Sequence, residues 1–341
     1  MKIQNITIIG GGGQCHAIAP WLAKHGYDVS ILTNRPEKWS SDFGYTMPDG
    51  STGIVRLANI SANPADVIPH TDVVFVTVPG FVIGKELESI RPYLRKETFV
   101  GGVFASNGFF FEALKVFGDS QPLFGFQRVP FIARAAEYGR VGNILGTKSS
   151  LVVAVENASA EQTHEFVNWL EEAFEIPVNL RRHYLEVAIS NSNPLLHTSR
   201  LYAMLADRGD KPFSSNFGFY SGWDDKASEL YIAMDRELHE LINVLPVDHD
   251  CLPTVLEYYE QPDAQALTRK ISTIPAFQGI LSPLIETPDG FIADYSSRYF
   301  SEDFENGLRN YVELARKYGI SCPEMTKVYN WGHDKLIQAR K

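Results

Sequence analysis

The sequence predicts an N-terminal α/β domain, a Rossmann-like doubly wound parallel sheet, followed by an all-α C-terminal domain. Three observations carry this. The glycines Gly10-Gly11-Gly12-Gly13 separate an apolar run from a helix-like run. Short β-rich runs then alternate with amphipathic stretches. Beyond Arg182 the helical period persists and few convincing strands remain.

A chain of 341 residues is long enough for two cores, and we expect domains at 1–182 and 183–341. The composition, 44% apolar and 21% charged, is that of a soluble globular protein. No apolar run reaches the roughly 18 residues of a membrane span. The short apolar N-terminal run leads straight into the glycines, unlike a signal peptide. Cys15, Cys251 and Cys322 are too widely spaced for a disulfide framework or a zinc site, which suggests a reducing cytoplasm. A net charge of −10 argues against nucleic-acid binding and leaves room for a local anion pocket. Asp248-His249-Asp250-Cys251 holds metal-ligating residue types, but four adjacent residues cannot converge on one ion, so no metal is expected.

Strands are expected at 6–9, 28–32, 72–78, 98–104 and 151–156, with helices at 14–25, 85–94 and 162–174. The second half reads as helices at 184–207, 226–245, 263–271, 302–318 and 323–340, the first kinked at Pro194. Gly10-x-Gly12-x-x-Cys15 follows a strand and opens a helix, the context of a dinucleotide fingerprint. Gly10 permits the tight turn, and Gly12 lets the backbone approach a pyrophosphate. The helix N-terminus faces its charge, and Cys15 is small enough for the third, packing position. Gly11, Gly13 and Gln14 complete the loop. The plainer reading is a glycine turn without a ligand. Cys15 as a nucleophile is disfavoured, because pyrophosphate and helix packing would both occlude it.

The second strand ends in Leu32-Thr33-Asn34-Arg35, with no acidic residue to accept from the ribose hydroxyls. Arg35, helped by Lys38, suits a 2′-phosphate, so NADP(H) is favoured over NAD(H); the alternative is a solvated cation stacking on adenine. Pro79 lies in the Val78-Pro79-Gly80-Phe81 loop, which reads equally as a cofactor contact or as a plain turn. In the second half, Asn193 and His197 stand four apart on one helix face. Alone, His197 reads as a satisfied core histidine. Arg298, Glu302 and Asp303 occupy a loop entering a helix, where a helix cap and a surface cation are the bland readings. Phe219, Tyr220 and Trp223 read as core aromatics or as walls of a pocket.

Taken together, the fingerprint, Asn193-Pro194-Leu195-Leu196-His197, and Arg298…Asp303 leading into Gly307-Leu308 resemble the octopine/nopaline (opine) dehydrogenase family. Residues 126–155 also look like that family's extension of the Rossmann domain. The resemblance covers nearly the whole chain and implies a helical domain like the C-terminal domain of 6-phosphogluconate dehydrogenase. It further implies an NAD(P)H-dependent reductive condensation, in which an amino acid and an α-keto acid lose water to an imine that hydride reduces. His197 suits the acid–base steps, with an ordinary pKa near 6.5, and Asp303 would orient it. Arg298 offers the keto-acid carboxylate a bidentate partner. Asn193 would hold the nicotinamide amide or the substrate. The expected layout places the substrate between the domains; a homodimer is left open. One rival is a ketopantoate reductase-like enzyme, which leans on lysine and glutamate. Another is a non-catalytic NADP(H)-sensing binding protein. A third, a decayed enzyme kept as a scaffold, fits poorly with the complete His197, Arg298 and Asp303 set.

Overall fold

The computed structural model describes residues 2–209 and 211–340. The chain forms two compact units, Met1–Ser190 and Asn191–Lys341. The strands of the first unit are β1 (Asn5–Ile9), β2 (Asp28–Leu32), β3 (Asp42–Thr46), β4 (Thr52–Arg56), β5 (Asn59–Ser61), β6 (Val73–Val76), β7 (Phe99–Gly102), β8 (Leu123–Phe126), β9 (Phe131–Glu137), β10 (Val141–Thr147), β11 (Leu151–Glu156) and β12 (Val178–Leu180). Its helices are α1 (Gly13–Lys24), α2 (Gly80–Ile90), α3 (Phe109–Phe117), α4 (Ala160–Phe174) and α5 (Tyr184–Ala188).

The main sheet runs β12-β11-β8-β7-β6-β1-β2-β5. From β5 to β8 all pairs are parallel, in the doubly wound order that reverses beside β1. These strands are apolar on both faces because each face is covered by packed elements. Successive residues of β1 serve opposite cores: Ile6 and Ile8 join one cluster and Ile9 the other. The first cluster is phenylalanine-rich, with Phe99 and Phe166 stacked at 4.1 Å. Strand β11 then runs antiparallel to β8.

A second sheet, β4-β3-β10-β9, comes from two hairpins, one of them in the 126–155 extension. The expected elements contained neither this sheet nor β5, β8 and β12. Its strands are half-exposed, so their apolar residues alternate instead of forming runs; β4 shows only partly buried and exposed positions. The Asp49-Gly50 pair, with Gly50 at φ +84°, marks the first hairpin turn. Helix α2 starts at Gly80, not at 85, because Pro79 caps it and the strand passes almost directly into the helix.

His16 of α1 ties the glycine loop to the second sheet. The Gly12 carbonyl accepts from Nδ1 at 2.9 Å, and the Gly139 N–H donates to Nε2 at 2.7 Å. The ring is therefore the neutral Nδ1–H tautomer. It is fully buried, among Trp39, Phe43 and Tyr138.

In the second unit lie α6 (Asn193–Leu205), α7 (Asp225–Ile242), α8 (Val255–Tyr259), α9 (Ala264–Thr273), a π-helical segment (Tyr299–Leu308), α10 (Arg309–Tyr318) and α11 (Pro323–Ala339). Asp224, Thr254 and Asp263 cap α7, α8 and α9 through their side-chain oxygens. A hairpin of β13 (Leu284–Thr287) and β14 (Gly290–Ala293), turned at Pro288-Asp289-Gly290, is the one strand pair of this unit among the described residues. None of the described helices is long and apolar enough to cross a membrane.

Two expectations are corrected. The division falls after Ser190, not after Arg182, because α5 buries Leu185, Val187 and Ala188 in the first unit and packs on β11. Pro194 does not kink a long helix. It stands in the first turn of α6, where its missing N–H costs no hydrogen bond.

Burial holds the His16 pKa below its ordinary value. The unfolded chain therefore takes up a proton near pH 6.5 that the folded chain refuses, and stability falls as pH drops through that value. Denaturation midpoints measured between pH 7.5 and 5.5 will decline in the wild type, and less steeply in His16→Gln.

Candidate active site

The β1–α1 loop is shaped for a ligand. Gly10 has φ +127°, and a Cβ there would lie 2.5 Å from Thr77 Oγ1. Gly12 caps α1, and a Cβ on it would meet nothing within 4 Å. That open space adjoins the first N–H groups of α1, which have no partner within the helix and suit a pyrophosphate. Beside the loop lies a cavity of about 480 Å³. Gly10, Gly11, Thr33, Asn34, Arg35, Val78 and Pro79 line it.

Several expected contacts are refined. Lys38 does not line the cavity; Lys85 and Glu86 of α2 do, with Tyr138 from the turn between β9 and β10. Burial raises the Glu86 pKa, against the pull of Lys85. The Gln14 side-chain amide donates to the Phe131 carbonyl at 2.8 Å, while its Oε1 is buried without a hydrogen-bond partner. Gly13 presses on Ala133, whose carbonyl oxygen would lie 3.0 Å from a Cβ there. The Cys15 side chain is fully buried in the core, and burial pushes its thiol pKa up, which is the reverse of an activated nucleophile. Its role is packing. At the C-terminal end of β7, the side-chain oxygens of Ser106 and Asn107 are buried without a hydrogen-bond partner. Neither residue is among the cofactor contacts expected from the sequence.

The helical unit builds a second constellation. His197 Nδ1 lies 2.8 Å from Asp303 Oδ2, although 106 residues separate them. Both are largely buried, with side chains 10% and 13% exposed. Asp303 is not a cap at a helix entrance; it sits inside the π-helical segment, whose wide turns recur at functional sites. Gly307 of that segment packs on Pro194, whose Cγ would lie 2.5 Å from a Cβ. Thus the two motifs meet at two points, one steric and one polar.

With a proton on Nδ1 donated to Asp303, Nε2 faces the Tyr220 hydroxyl at 2.7 Å. Tyr299 meets the imidazole edge-on at 4.9 Å, and Phe219 does so at 5.8 Å. Burial raises the Tyr220 and Tyr299 pKa values, and the charge of Asp303 adds to both.

Asn193 opens α6, one turn before His197, with its backbone N–H donated to Asn191 Oδ1 at 3.1 Å. Arg298 precedes the π-helical segment; its side chain is 79% exposed and 3.8 Å from Glu302. The structure therefore pairs His197 with Asp303 but keeps Arg298 at the surface of the same segment.

Arg200, one turn after His197, was not foreseen. It is almost fully buried. It donates to the Phe219 carbonyl at 3.2 Å, to the Gly222 carbonyl, and to Asp224 at 3.0 Å. Helix α6 thereby carries both the imidazole and the clamp on the loop that presents Tyr220. A sequence-level signal existed: Asp224-Asp225 follows a glycine-rich aromatic loop and invites a cation.

The sequence profile described as "NAD/NADP octopine/nopaline dehydrogenase, alpha-helical domain" matches residues 180–336. That of ketopantoate reductase PanE/ApbA matches residues 6–115. Octopine dehydrogenase of Pecten maximus is 25% identical over 97% of this chain and 90% of its own length. Tauropine dehydrogenase of Arabella iricolor is 25% identical over 96% of this chain and 90% of its own. A solved octopine dehydrogenase structure with NADH and L-arginine superposes with a TM-score of 0.85 at 25% identity, covering 98% of this chain and 89% of that one.

Removing a buried cation strands the carbonyls it served, at a cost of about 3 kcal/mol. Arg200→Ala will lose about that much stability in denaturant titrations, whereas a change at the exposed Arg56 will lose under about 1 kcal/mol.

Proposed function

The chain belongs to the octopine/nopaline (opine) dehydrogenase family of NAD(P)-dependent dehydrogenases acting on CH–NH bonds, and from that premise we propose that it joins an amino acid to a small α-keto acid by reductive condensation, with His197 as general acid–base and Asp303 orienting it. The observation that carries this reading is the 2.8 Å His197–Asp303 contact in a largely buried setting.

The steps follow from the pair. The amine must lose a proton to attack the keto carbon, and the resulting carbinolamine must gain one to expel water. A histidine that cycles between neutral and cationic forms serves both steps. Asp303 fixes the Nδ1–H tautomer and stabilises the imidazolium. The guanidinium of Arg298, unburied and one turn from Asp303, is the partner proposed for the keto-acid carboxylate. Asn193 lies one turn from the imidazole, within the same α6 face, and is proposed to orient substrate or nicotinamide amide. A bound reduced nicotinamide supplies the hydride.

The glycine loop and cavity fit a dinucleotide: the space at Gly12 is clear, and the α1 N–H groups border it. We favour NADP(H), because Arg35 lines the cavity with Lys85 and the three residues that leave β2, Thr33, Asn34 and Arg35, include no acid. Relatives of this chain include an octopine dehydrogenase with NADH bound, so the preference is a test in itself. The ketopantoate reductase-like reading loses ground because the profile for that family stops in the first unit, while the helical unit matches the octopine/nopaline profile.

Absorbance at the reduced-nicotinamide band, with pyruvate and a panel of amino acids, tests the reading. Oxidation should require both partners. His197→Ala should then lower kcat by about 10²- to 10⁴-fold; oxidation by a keto acid alone, unaffected by this change, would favour the ketopantoate-type rival. Arg35→Ala should raise KM for NADPH about tenfold or more and leave KM for NADH nearly unchanged. Equal changes for the two would remove the case for a 2′-phosphate contact.

A further inference from the structure

We propose that the Tyr138 hydroxyl, carried by the turn between β9 and β10, donates a hydrogen bond to the pyrophosphate of the bound dinucleotide. This rests on the dinucleotide site proposed for the glycine loop and adds to it a ligand from outside the fingerprint. A steric observation points to it. Gly10 needs glycine for its backbone, at φ +127°, but Gly11 does not stand at positive φ. What excludes a side chain at Gly11 is Tyr138: a Cβ there would lie 2.6 Å from the hydroxyl oxygen and 3.3 Å from Cζ. The phenol fills the place a side chain at position 11 would take. Both residues line the same cavity.

The loop itself is short of side-chain donors. Gly10 to Gly13 have none, Cys15 is buried in the core, and the Gln14 amide is engaged by the Phe131 carbonyl. Backbone N–H groups alone would meet the phosphate charge. An O–H donated to an ionised oxygen is stronger than a neutral pairing. Among the described residues no hydrogen bond engages the Tyr138 hydroxyl, and the residue is 38% exposed.

The phenol is also held in place. Its ring meets His16 at 5.4 Å and Trp39 edge-on at 6.0 Å. In the next residue, the Gly139 N–H donates to His16 Nε2 at 2.7 Å, and the Gly139 carbonyl accepts from the Ser40 N–H at 2.9 Å. Gly139 stands at φ +71°, and a Cβ on it would overlap the Lys38 carbonyl. His16 belongs to α1. The helix that offers its N–H groups and the turn that offers the phenol are thus joined through one imidazole, so little ordering is left to be done when the ligand arrives.

Tyr138→Phe tests this, because it keeps the ring and removes only the hydroxyl. Fluorescence titrations of the full chain, without substrates, should show ADP-ribose and the preferred reduced cofactor binding about tenfold more weakly. Adenosine, which lacks the pyrophosphate, should compete with unchanged affinity, within about twofold. Gly11→Ala, whose methyl displaces the phenol, should weaken ADP-ribose in the wild type but add under about twofold to Tyr138→Phe. Three outcomes overturn the proposal: ADP-ribose affinity within about twofold of wild type, tighter binding because the hydroxyl was only an obstruction, or an equal loss for adenosine, the mark of a turn that merely shapes the cavity. A wild type that binds none of NADPH, NADH and ADP-ribose would overturn the dinucleotide site and this ligand with it. Binding without turnover on any amine and keto-acid pair would remove the condensation reading and leave the Tyr138 contact standing.

Discussion

The contact between His197 and Asp303 constrains the rest of the helical unit. For these side chains to meet, the backbones of α6 and the π-helical segment must approach closely, and Pro194 against Gly307 is where they do. Any side chain at position 307 would overlap the proline ring. Proline in the first turn of α6 and glycine in the facing segment are therefore one steric device, and the imidazole–carboxylate pair is its polar product. Phe300 and Phe304 of the segment stack at 5.0 Å and pack on Trp331 of α11, which anchors the segment that carries Asp303. An isolated carboxylate in such surroundings would be costly to keep charged; the imidazole proton compensates it.

A parallel economy operates in the first unit. The glycine loop is confined on its protein side by Thr77, Tyr138 and Ala133 and open at Gly12. His16, in the helix that follows, locks the loop to a second sheet through one carbonyl and one N–H. Thus the 126–155 extension is not an ornament on the nucleotide fold. It supplies Tyr138 to the cavity wall and the contacts that keep the loop in place.

Much of this was legible in the sequence, for a physical reason in each case. Strands buried on both faces appear as continuous apolar runs, so β1, β2, β6, β7 and β11 could be read directly. The fingerprint was legible because its neighbours on both sides obeyed the right periods. The second sheet was not, since half-exposed strands alternate and their short hairpins carry little signal beyond Asp-Gly. The β13–β14 hairpin was hidden the same way. No periodicity predicts that His197 and Asp303 meet across 106 residues; that expectation came from the resemblance of two motifs to a family. Tyr220 was read only as a core aromatic or a pocket wall, and Arg200 escaped for a subtler reason. Two of the three acceptors of Arg200 are loop carbonyls, which leave no residue-type signature; only Asp224 does.

Whether His197 and Asp303 act as one unit is the central claim, and a double-mutant cycle tests it most directly. Turnover would be measured for His197→Ala, Asp303→Ala and the double variant under identical conditions. If the pair works as a unit, the double variant should be about as slow as the slower single one, far from the product of the two losses. Losses that multiply independently, or single variants that turn over at the wild-type rate, would contradict the account.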